Sequence, residues 1–583
     1  MRIGIFFGGP AREREISYSG GKTAMENIDK SLFTPIPVFV DSCGNFIILK
    51  EELLYQSSIR DFYPPKSYQP EGYSIYVESL GELSISEWET LIAQAGQKIT
   101  PDQFSKYFDF AFIAMHGPGA EDGSIQGLME WYSIPYSGPG ILGSGVGIDK
   151  IAQNDMLKLA VGLDKKTAVL TKTDWDSKPH TALFDQVKMQ IGLPFVVKAP
   201  HQGSSIGVVF VKKDDLTDFE SAVGQCLFIK EITANAWNKL DHLGKQKLVQ
   251  SIANLDEGIG FPLSIENELI YNPTVLSESL ENILKIKNKV QLISTNREDA
   301  VLFESFVYGQ EFSCGVIQTP DCQAVALPPT EVLKVDELAV FDFNSKYKPG
   351  ATRKKLPIDT NLENNINVQN AVKSAFEKLG FGVCTRIDGF LTANGTVVLH
   401  DPNTIPGMSP TSLIFKQMAE IGLNVTDAIT YFIRQSIRER IRTGKTTFKL
   451  NELLIQLDSS IANRKENLKN RNKTAIVFGG ADLDKLDENY AKARKEYGKI
   501  ASSTDSFPIA YLQWGSKTYQ LPTQLLFKDF AEDLLKLIDA EVHPLIAITR
   551  KNAHSITSHF VGDVDFGVKI AENISEVRKV VFV

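Results

Sequence analysis

The 583-residue sequence is poor in the features that mark membrane proteins, disulfide-rich proteins and nucleic-acid binders. It contains no run of about 18 or more apolar residues, so we expect no membrane span. Its five cysteines are scattered, odd in number and free of any CxxC pair, which favours reduced cytosolic thiols over a disulfide framework or a zinc site. An excess of basic residues is missing too. The formal net charge of −9 argues against general affinity for nucleic acids.

The N-terminal sequence MRIGIFFGG lacks the long apolar stretch of a signal peptide. Its short apolar run ends at two glycines, which predicts a first β-strand over 3–7. Further strands are predicted at 36–40 and 110–115, with helical stretches between them. Strands that alternate with helices indicate a mostly parallel, helix-covered α/β lobe over residues 1–138.

A chain of this length exceeds one hydrophobic core and implies roughly three to five lobes. We predict a central lobe over 139–300, in which residues from about 225 to 298 form a helical insertion. A third lobe is predicted over 301–440. The polar and basic stretch 441–473 predicts a connecting helix and linker.

Residues 474–583 partly repeat the first lobe. The segment TAIVFGGA at 474–481 resembles RIGIFFGGP at 2–10, and both copies then place a proline, Pro37 or Pro508, seven residues before a later glycine. Coincidence between two ordinary α/β strands is the alternative. The repeat predicts an α/β half-lobe without a nucleotide site or catalytic residues.

Three glycine-rich segments carry polar residues at predicted strand ends. GGPAREREIS (8–17) enters a helix with two glutamates in its first turn, which stabilisation of the helix end alone could explain. HGPGAEDGSIQG (116–127) places a histidine and two acids at the edge where open α/β sheets bind ligands. KAPHQGSSIG (198–207) offers backbone N–H groups and hydroxyls to phosphate, although a hairpin would give the same pattern.

A fourth cluster joins TRIDGFL (385–391) to HDPNTIPGMS (400–409). Alternation along a strand would put Asp401 and Asn403 on one face and His400 on the other. Arg386 and Asp388 share a face in the same way. Two adjacent strands could thus bring together an arginine, two carboxylates and an amide, and these oxygens suit Mg²⁺. A polar strand end and a simple salt bridge are the alternatives.

Taken in order, these motifs resemble those of the D-alanine–D-alanine ligases of the ATP-grasp superfamily. The resemblance covers roughly residues 1–440 and also includes DK at 149–150, KY at 346–347 and NTIPGM at 403–408. It implies an α/β (α+β) ATP-grasp fold with three lobes, two of which clamp ATP, followed here by the half-lobe. The implied reaction joins two D-alanines through an acyl phosphate, for peptidoglycan synthesis in the cytoplasm. ATP and Mg²⁺ are the implied cofactors, with two ions, or Mn²⁺ in their place.

The resemblance also assigns roles to individual residues. The ATP-binding residues would be Lys150, Lys198, Glu304, Glu311 and Lys346. The metal ligands would be Asp388, Asp401 and Asn403. A hydrogen-bonded trio that orients the first D-alanine would comprise Glu13, Ser204 and Tyr347, and His116 would flank that substrate. The groups that stabilise the oxyanion would be Arg386 and the backbone of Gly407. The second substrate's carboxylate would be held by Ser412 and Leu413, since a helix start suits an anion.

Departures from the family pattern keep two other functions open. Asp401 stands where the family has glutamate, and Ser305 stands where the family has lysine. The stretch between Ser204 and Glu304 is also far longer than usual. A ligase for other amino or hydroxy acids and a degenerate ATP-binding regulatory protein are therefore the alternatives.

The resemblance further predicts the second substrate and the assembly. The lid expected at about 334–355 reads SKYKPG without a histidine, which predicts D-alanine and not D-lactate as the second substrate. Ligases of this family pair through their first lobes. A tail that copies the first lobe therefore predicts a pseudo-dimeric monomer, with an ordinary homodimer as the alternative. Neither nucleic acid nor membrane is an expected partner.

Overall fold

The computed structural model describes the chain except residues 163–164, 335–351, 410, 446, 469–470, 572–573 and 575–578. The described residues form five β-sheets with helices packed around them. The α-helices span Arg14–Asn27, Ile85–Ala95, Phe104–Tyr107, Ser124–Trp131, Ile141–Ile148, Lys150–Val161, Lys172–Ser177, His180–Ile191, Leu216–Cys226, Ala234–Asn238, His242–Ala253, Pro273–Ile283, Leu362–Lys378, Leu413–Ala419, Val425–Arg442, Thr447–Leu468, Leu483–Ala501, Ala531–Leu537, Pro544–Asn552 and His554–Phe560.

The first lobe is built on a mixed five-stranded sheet. Its strands, in spatial order, are Gly96–Ile99, Phe46–Leu49, Thr34–Val40, Arg2–Gly8 and Phe110–Ile113. Arg2–Gly8 pairs in parallel with both of its neighbours, as predicted, whereas the two strands at the far edge pair antiparallel. Only residues 41–45 separate the second and third strands of the chain. That connection is too short for a crossover, so the chain turns back as a hairpin.

The central lobe contains a four-stranded antiparallel sheet. Its order is Thr167–Thr171, Ala300–Ser305, Phe195–Lys198 and Val208–Val211. The strand that we assigned to the start of the third lobe therefore lies inside the central sheet. Val301 and Phe303 on this strand are fully buried in the central core. The boundary between the two lobes thus follows Ser305.

The insertion contains helices, as predicted, and also a second antiparallel sheet, which the prediction missed. The strands, in spatial order, are Glu268–Ile270, Leu263–Ile265, Lys289–Ser294 and Ile229–Thr233. Leu263 and Ile265 are buried, as are Val290 and Leu292 on the neighbouring strand. These strands of three to six residues are too short to show a clear alternation among the surrounding helix-forming residues.

The third lobe carries an antiparallel sheet that faces the central lobe. Its order is Thr352–Lys355, Thr330–Lys334, Gln310–Gln318, Cys384–Leu391 and Val397–Asn403, and Ala324–Ala326 pairs with Gln310–Gln318. Helix Leu362–Lys378 buries Val368, Val372 and Phe376 in the core of this lobe. A register shift at Ile387/Asp388 interrupts the pairing of the last two strands, at the point where the polar cluster lies.

The tail repeats the complete strand order of the first sheet. The repeat is therefore more extensive than the predicted half-lobe. Its order is Lys569–Ile570, Lys517–Leu521, Ser506–Trp514, Asn472–Gly479 and Lys579–Phe582, with the same parallel and antiparallel pairs as the first sheet. The two prolines are not equivalent, because Pro37 lies opposite Ile5 and Pro508 opposite Thr474. The second copy is thus shifted by two residues, which leaves the same side chains facing the core.

The tail shares a hydrophobic core with the first and third lobes. Helix Leu483–Ala501 of the tail packs against helix Arg14–Asn27, its counterpart in the first lobe. The two helices approach so closely that a Cβ on Gly498 would lie 2.5 Å from Oδ1 of Asn27. Within the described ranges, no helix combines the length and the apolar character that crossing a membrane requires.

Candidate active site

A cleft between the central and third sheets collects most of the predicted ATP and metal residues. It opens to solvent at its mouth and is lined by side chains from both sheets. Its apolar lining comprises Val196, Val208, Phe210, Phe306, Val307, Phe390 and Val398. Its polar lining includes Lys150, Lys165, Lys198, Glu304, Glu311, Asp388, His400, Asp401 and Asn403. An apolar slot beside a charged end matches the two halves of a nucleotide.

Lys198 ends strand Phe195–Lys198 and lies between two carboxylates. Its Nζ is 2.9 Å from Oε2 of Glu304 and 3.2 Å from Oδ2 of Asp401. Burial alone would lower the pKa of Lys198, but the charges of Asp401 and Glu304 outweigh it and raise the pKa. Burial would likewise raise the pKa of Asp401, yet Lys198 and Lys150 bring it well below its usual range. The cation and the carboxylates are therefore all charged at neutral pH.

Lys165 is a third lysine of this cleft that the sequence analysis missed. Its Nζ lies 2.7 Å from Oε1 of Glu304, and its side chain is buried. Burial lowers the pKa of Lys165 despite the charge of Glu304. Asn154, also missed, donates to the same Oε1 at 2.8 Å. Lys150, at the start of its helix, donates to the backbone oxygen of Gln202 at 2.5 Å. Three lysines thus reach the charged end of the cleft.

The predicted metal ligands lie at the register shift between the last two strands of the third lobe. Asp401 has a left-handed backbone with φ of 44°. This conformation breaks strict alternation, so His400 and Asp401 both line the cleft. Nδ1 of His400 is 3.1 Å from Oδ2 of Asp401, and its ring stacks on Phe390. The prediction that His400 takes the opposite face is therefore wrong. Asp401 and Asn403 both line this cleft, and their common strand face stays a prediction.

The donor set at this point fits Mg²⁺. Asp388 accepts from Ser313 Oγ at 2.6 Å and lies 3.2 Å from Nε of Arg386. Asp388, Asp401 and Asn403 offer two carboxylates and one amide oxygen to the same cleft. No cluster of three or more histidine, cysteine or acidic ligands occurs among the described residues. Mg²⁺ is commonly held by one or two carboxylates together with water and the phosphates of a substrate, which these residues would allow.

The loop over residues 201–205, which we call the serine loop, contacts the first lobe beside this cleft. Oγ of Ser204 donates to Oε1 of Glu13 at 2.5 Å, and the N–H of Gly203 donates to Oε2 at 3.3 Å. A Cβ at residue 203 would lie 2.5 Å from Oε1 of Glu13, so a larger residue here would displace this carboxylate. Ser204 and Ser205 have φ of 51° and 64°. Such left-handed serines are strained and mark a loop that its surroundings hold in place. Tyr347 and Lys346 lie outside the described residues.

His116 and Glu121 lie behind this contact. The N–H of His116 donates to Ser17 Oγ at 2.9 Å, and within the described chain its Nε2 is buried without a hydrogen-bond partner. Burial and the charge of Arg386 lower the pKa of His116 to about 4. Burial and the charge of Glu13 raise the pKa of Glu121 to about 8. At neutral pH the histidine is uncharged and Glu121 is largely protonated. Glu121 lies in the motif HGPGAEDGSIQG and had no predicted role.

The remaining predicted residues follow the metal ligands in the chain. Ser412 caps helix Leu413–Ala419 in extended conformation, and its Oγ is 2.9 Å from Oγ of Ser409. A Cβ at Gly407 would lie 3.5 Å from that same Ser412 oxygen. The turn at Gly407 and the helix start are therefore adjacent. Eight of the sixteen predicted residues thus line one cleft, and Glu13 contacts its edge, while the individual roles stay predictions.

Two family models match the chain. One, described as D-ala D-ala ligase N-terminus, matches residues 2–139, and the other, D-ala D-ala ligase C-terminus, matches 161–228 and 273–434. Together they cover more than half of the sequence. The chain belongs to the D-alanine–D-alanine ligase family. The matches leave out 229–272, which is most of the insertion of this ligase, and everything after residue 434.

Relatives of known name are distant but span most of the ligase portion. The D-alanine–D-alanine ligase of Geobacillus thermodenitrificans is 24% identical over 424 residues, which are 71% of this chain and 88% of the relative. Ligase A of Mesorhizobium japonicum is 24% identical over 445 residues, which are 76% of this chain and 99% of the relative. The solved ligase from Coxiella burnetii has 17% identity and a TM-score of 0.49, and covers 78% of this chain and 99% of its own. The D-Ala:D-Ser ligase from Enterococcus faecalis has 20% identity and a TM-score of 0.47, over 75% of this chain and 99% of its own.

Proposed function

We propose that this ligase joins two D-alanine molecules to D-alanyl-D-alanine with consumption of ATP, as a step in peptidoglycan precursor synthesis. One observation carries the proposal beyond family membership. The contact of Glu13 with Gly203 and Ser204 lies directly beside the lysine- and aspartate-lined cleft, because Gly203 and Ser204 also line that cleft. A small amino acid held there would have its carboxylate near the phosphates of a nucleotide.

The first step forms an acyl phosphate. A carboxylate oxygen of the first D-alanine attacks the terminal phosphorus of ATP, and ADP leaves. Negative charge is spread over the transferring phosphoryl group, and Lys150, Lys165 and Lys198 are placed to hold it. Mg²⁺ held by Asp388, Asp401 and Asn403 would neutralise phosphate charge. In this structure Lys198 pairs with Asp401. We expect the side chain of Lys198 to turn toward the phosphates when ATP is bound.

The first substrate's ammonium group would face Glu13 and Glu121. Burial and, next to it, the charge of Glu13 raise the pKa of Glu121. A bound ammonium group would favour the charged form of both acids. His116, uncharged at neutral pH, adds no competing positive charge at this position.

The second step forms the peptide bond. The amine of the second D-alanine attacks the acyl carbon, the tetrahedral oxyanion collapses, and inorganic phosphate leaves. Arg386 and the N–H of Gly407 would stabilise the oxyanion. Ser412 and Leu413 would hold the carboxylate of the second substrate. Arg386 donates to Asp388, and its charge also acts on His116, which supports a position of Arg386 near the first substrate.

The decisive experiment is ATP hydrolysis by the full-length protein with and without D-alanine. We expect ADP and phosphate release that depends on D-alanine and equals the amount of dipeptide formed. Hydrolysis that depends on another amino or hydroxy acid would replace the proposed substrate. ATP binding without turnover for any of these acids would support a regulatory role and overturn the ligase proposal.

Three finer features belong to the same proposal. We place the reaction in the cytoplasm, because it consumes ATP. We assign two Mg²⁺ ions, since the acids of the third lobe and the phosphates together can bridge a pair of ions. We also assign a monomeric chain, because the tail packs on the first lobe through the counterpart of the first lobe's own helix.

A further inference from the structure

The insertion, residues from about 225 to 298, contacts the first lobe immediately beside Glu13. The side chain of Arg12 leaves the first lobe and is buried in the insertion, with 6% of its surface exposed. Its guanidinium donates to the backbone oxygens of Ile259 at 2.7 Å, Gly258 at 3.2 Å and Leu255 at 3.3 Å, and to Ser294 Oγ at 3.2 Å. These donors satisfy three carbonyl groups of one irregular loop of the insertion. Arg12 therefore fixes this loop to the residue that precedes Glu13.

Arg12 is held here at an electrostatic cost. Its hydrogen bonds within the described chain go to neutral acceptors, and its guanidinium lies 3.6 Å from the centre of the Phe228 ring. Burial lowers the pKa of Arg12 to about 9. A buried cation without a hydrogen-bonded carboxylate is a poor way to gain stability. The rigid fork of arginine is, however, well suited to fixing the geometry between two segments.

The other end of the insertion contacts the serine loop. Glu298 is buried, and its Oε1 accepts from Nε2 of Gln202 at 2.7 Å while its Oε2 is 2.8 Å from Nδ1 of His201. The hydrogen bond to Glu298 raises the pKa of His201. These two residues directly precede Gly203 and Ser204. The same insertion thus holds both partners of the Glu13 contact, each through the residues next to it in the chain.

We propose that the insertion is an intramolecular clamp for the first-substrate site, in which Arg12 and Glu298 are positioning residues. This inference rests on the proposed function for its substrate, since D-alanine is taken to bind at Glu13 and Ser204. Arg12 sets the backbone of Glu13, and Glu298 sets the backbone of Gly203 and Ser204. A displacement of about 1 Å in such a site can cost about 100-fold in rate. The loop that accepts the hydrogen bonds of Arg12 lies in 229–272, which the family models do not match.

Four variants of the full-length protein test the clamp. Arg12→Met removes the guanidinium group and its N–H donors. Arg12→Lys keeps a cationic side chain but lacks the planar set of N–H donors. Glu298→Gln keeps the size of the side chain but weakens acceptance at one oxygen. The matched control is Glu281→Gln, because Glu281 also accepts two donors, Trp237 Nε1 and Lys245 Nζ, within the insertion but away from the cleft.

The kinetic readout is the KM for each D-alanine and for ATP. We expect Arg12→Met to raise the KM for the first D-alanine at least about tenfold and Arg12→Lys to recover part of this loss, on the order of the misplacement effect. Glu298→Gln should act in the same direction, while the KM for ATP changes less than about twofold and Glu281→Gln resembles the wild type. An unchanged KM for the first D-alanine in both Arg12→Met and Glu298→Gln would overturn the clamp. Equal changes in all three constants would overturn it as well.

Hydrogen exchange without substrates gives a readout that does not depend on activity. We expect faster amide exchange over 201–206 and 9–15 in Arg12→Met and Glu298→Gln, and wild-type exchange in Glu281→Gln. If the wild type shows no D-alanine-dependent hydrolysis, the proposed function fails while faster exchange still supports the clamp. Unchanged exchange in both segments would overturn the clamp even in an active ligase.

Discussion

A buried lysine at the tail provides a quantitative test of how the tail is joined to the ligase. Lys416 lies on helix Leu413–Ala419, is 6% exposed, and pairs with Asp529 of the tail. Burial and the neighbouring Lys354 lower the pKa of Lys416 to about 8, although Asp529 acts in the opposite direction. The helix that would begin the second-substrate site is therefore fastened to the tail by an ion pair that titrates close to neutral pH.

The substitution Asp529→Asn should destabilise the protein in a manner that depends on pH. An unfolded lysine has a pKa of about 10.4, so the folded protein binds fewer protons than the unfolded one between about pH 8 and 10.4, and wild-type stability rises with pH there. Without Asp529, the folded lysine loses its proton at still lower pH. The folded protein can avoid an unpaired buried charge by releasing the proton of Lys416, and this limits how much stability the substitution can remove. The largest loss in the free energy of unfolding is therefore about 2.5 kcal/mol at pH 6, below about 1 kcal/mol at pH 7.5 and nearly zero at pH 9.

Urea unfolding of the full-length protein at these three pH values measures the loss. Lys416→Met is the control background, because without the lysine the effect of Asp529→Asn should no longer vary with pH. A loss in Asp529→Asn that stays constant or grows from pH 6 to pH 9 would refute the reasoning. So would an equal pH dependence in the Lys416→Met background.

Four further predictions concern the site and the assembly. Asp401→Asn should reduce turnover about 100-fold or more while Asp401→Glu stays active, since the latter retains a carboxylate ligand; unchanged steady-state kinetics of Asp401→Asn would remove this residue from the site. Lys165→Ala should raise the KM for ATP about tenfold through loss of one charged contact, and an unaltered KM would contradict its phosphate role. Product analysis with D-lactate present at neutral pH should give mainly the dipeptide; an excess of the ester product would refute this. Sedimentation should show a monomer, and a dimer would contradict the proposed pseudo-dimer.

Many residues of the cleft could be found from the sequence because they lie in short motifs on or beside strands. Lys198 ends strand Phe195–Lys198, and Asp388 and Asp401 lie on two neighbouring strands of the third lobe, so the strand pattern alone suggests that they meet. Lys165 could not be found in this way. It lies in a polar stretch without a motif and reaches Glu304, 139 residues away, only because Thr167 pairs with Glu304 in the central sheet.

Local backbone irregularities account for the other differences. Alternation predicts opposite faces for His400 and Asp401, but the left-handed backbone at Asp401 overrides it. Equal spacing of Pro37 and Pro508 predicts equivalent positions, but spacing does not record the two-residue shift in strand pairing. Pairing register depends on contacts between strands, and a single sequence without these contacts leaves it open.

The contact between helix Arg14–Asn27 and helix Leu483–Ala501 has a consequence for how the protein behaves in dilute solution. Interfaces between separate subunits weaken as the protein is diluted, because their formation depends on the concentration of the partner. Here both helices belong to one chain, so the effective concentration of the partner is set by the connecting segment and does not fall on dilution. The two helices are also encoded by different positions of the sequence. A substitution therefore changes only one side of this contact, whereas in a symmetric dimer it changes both sides.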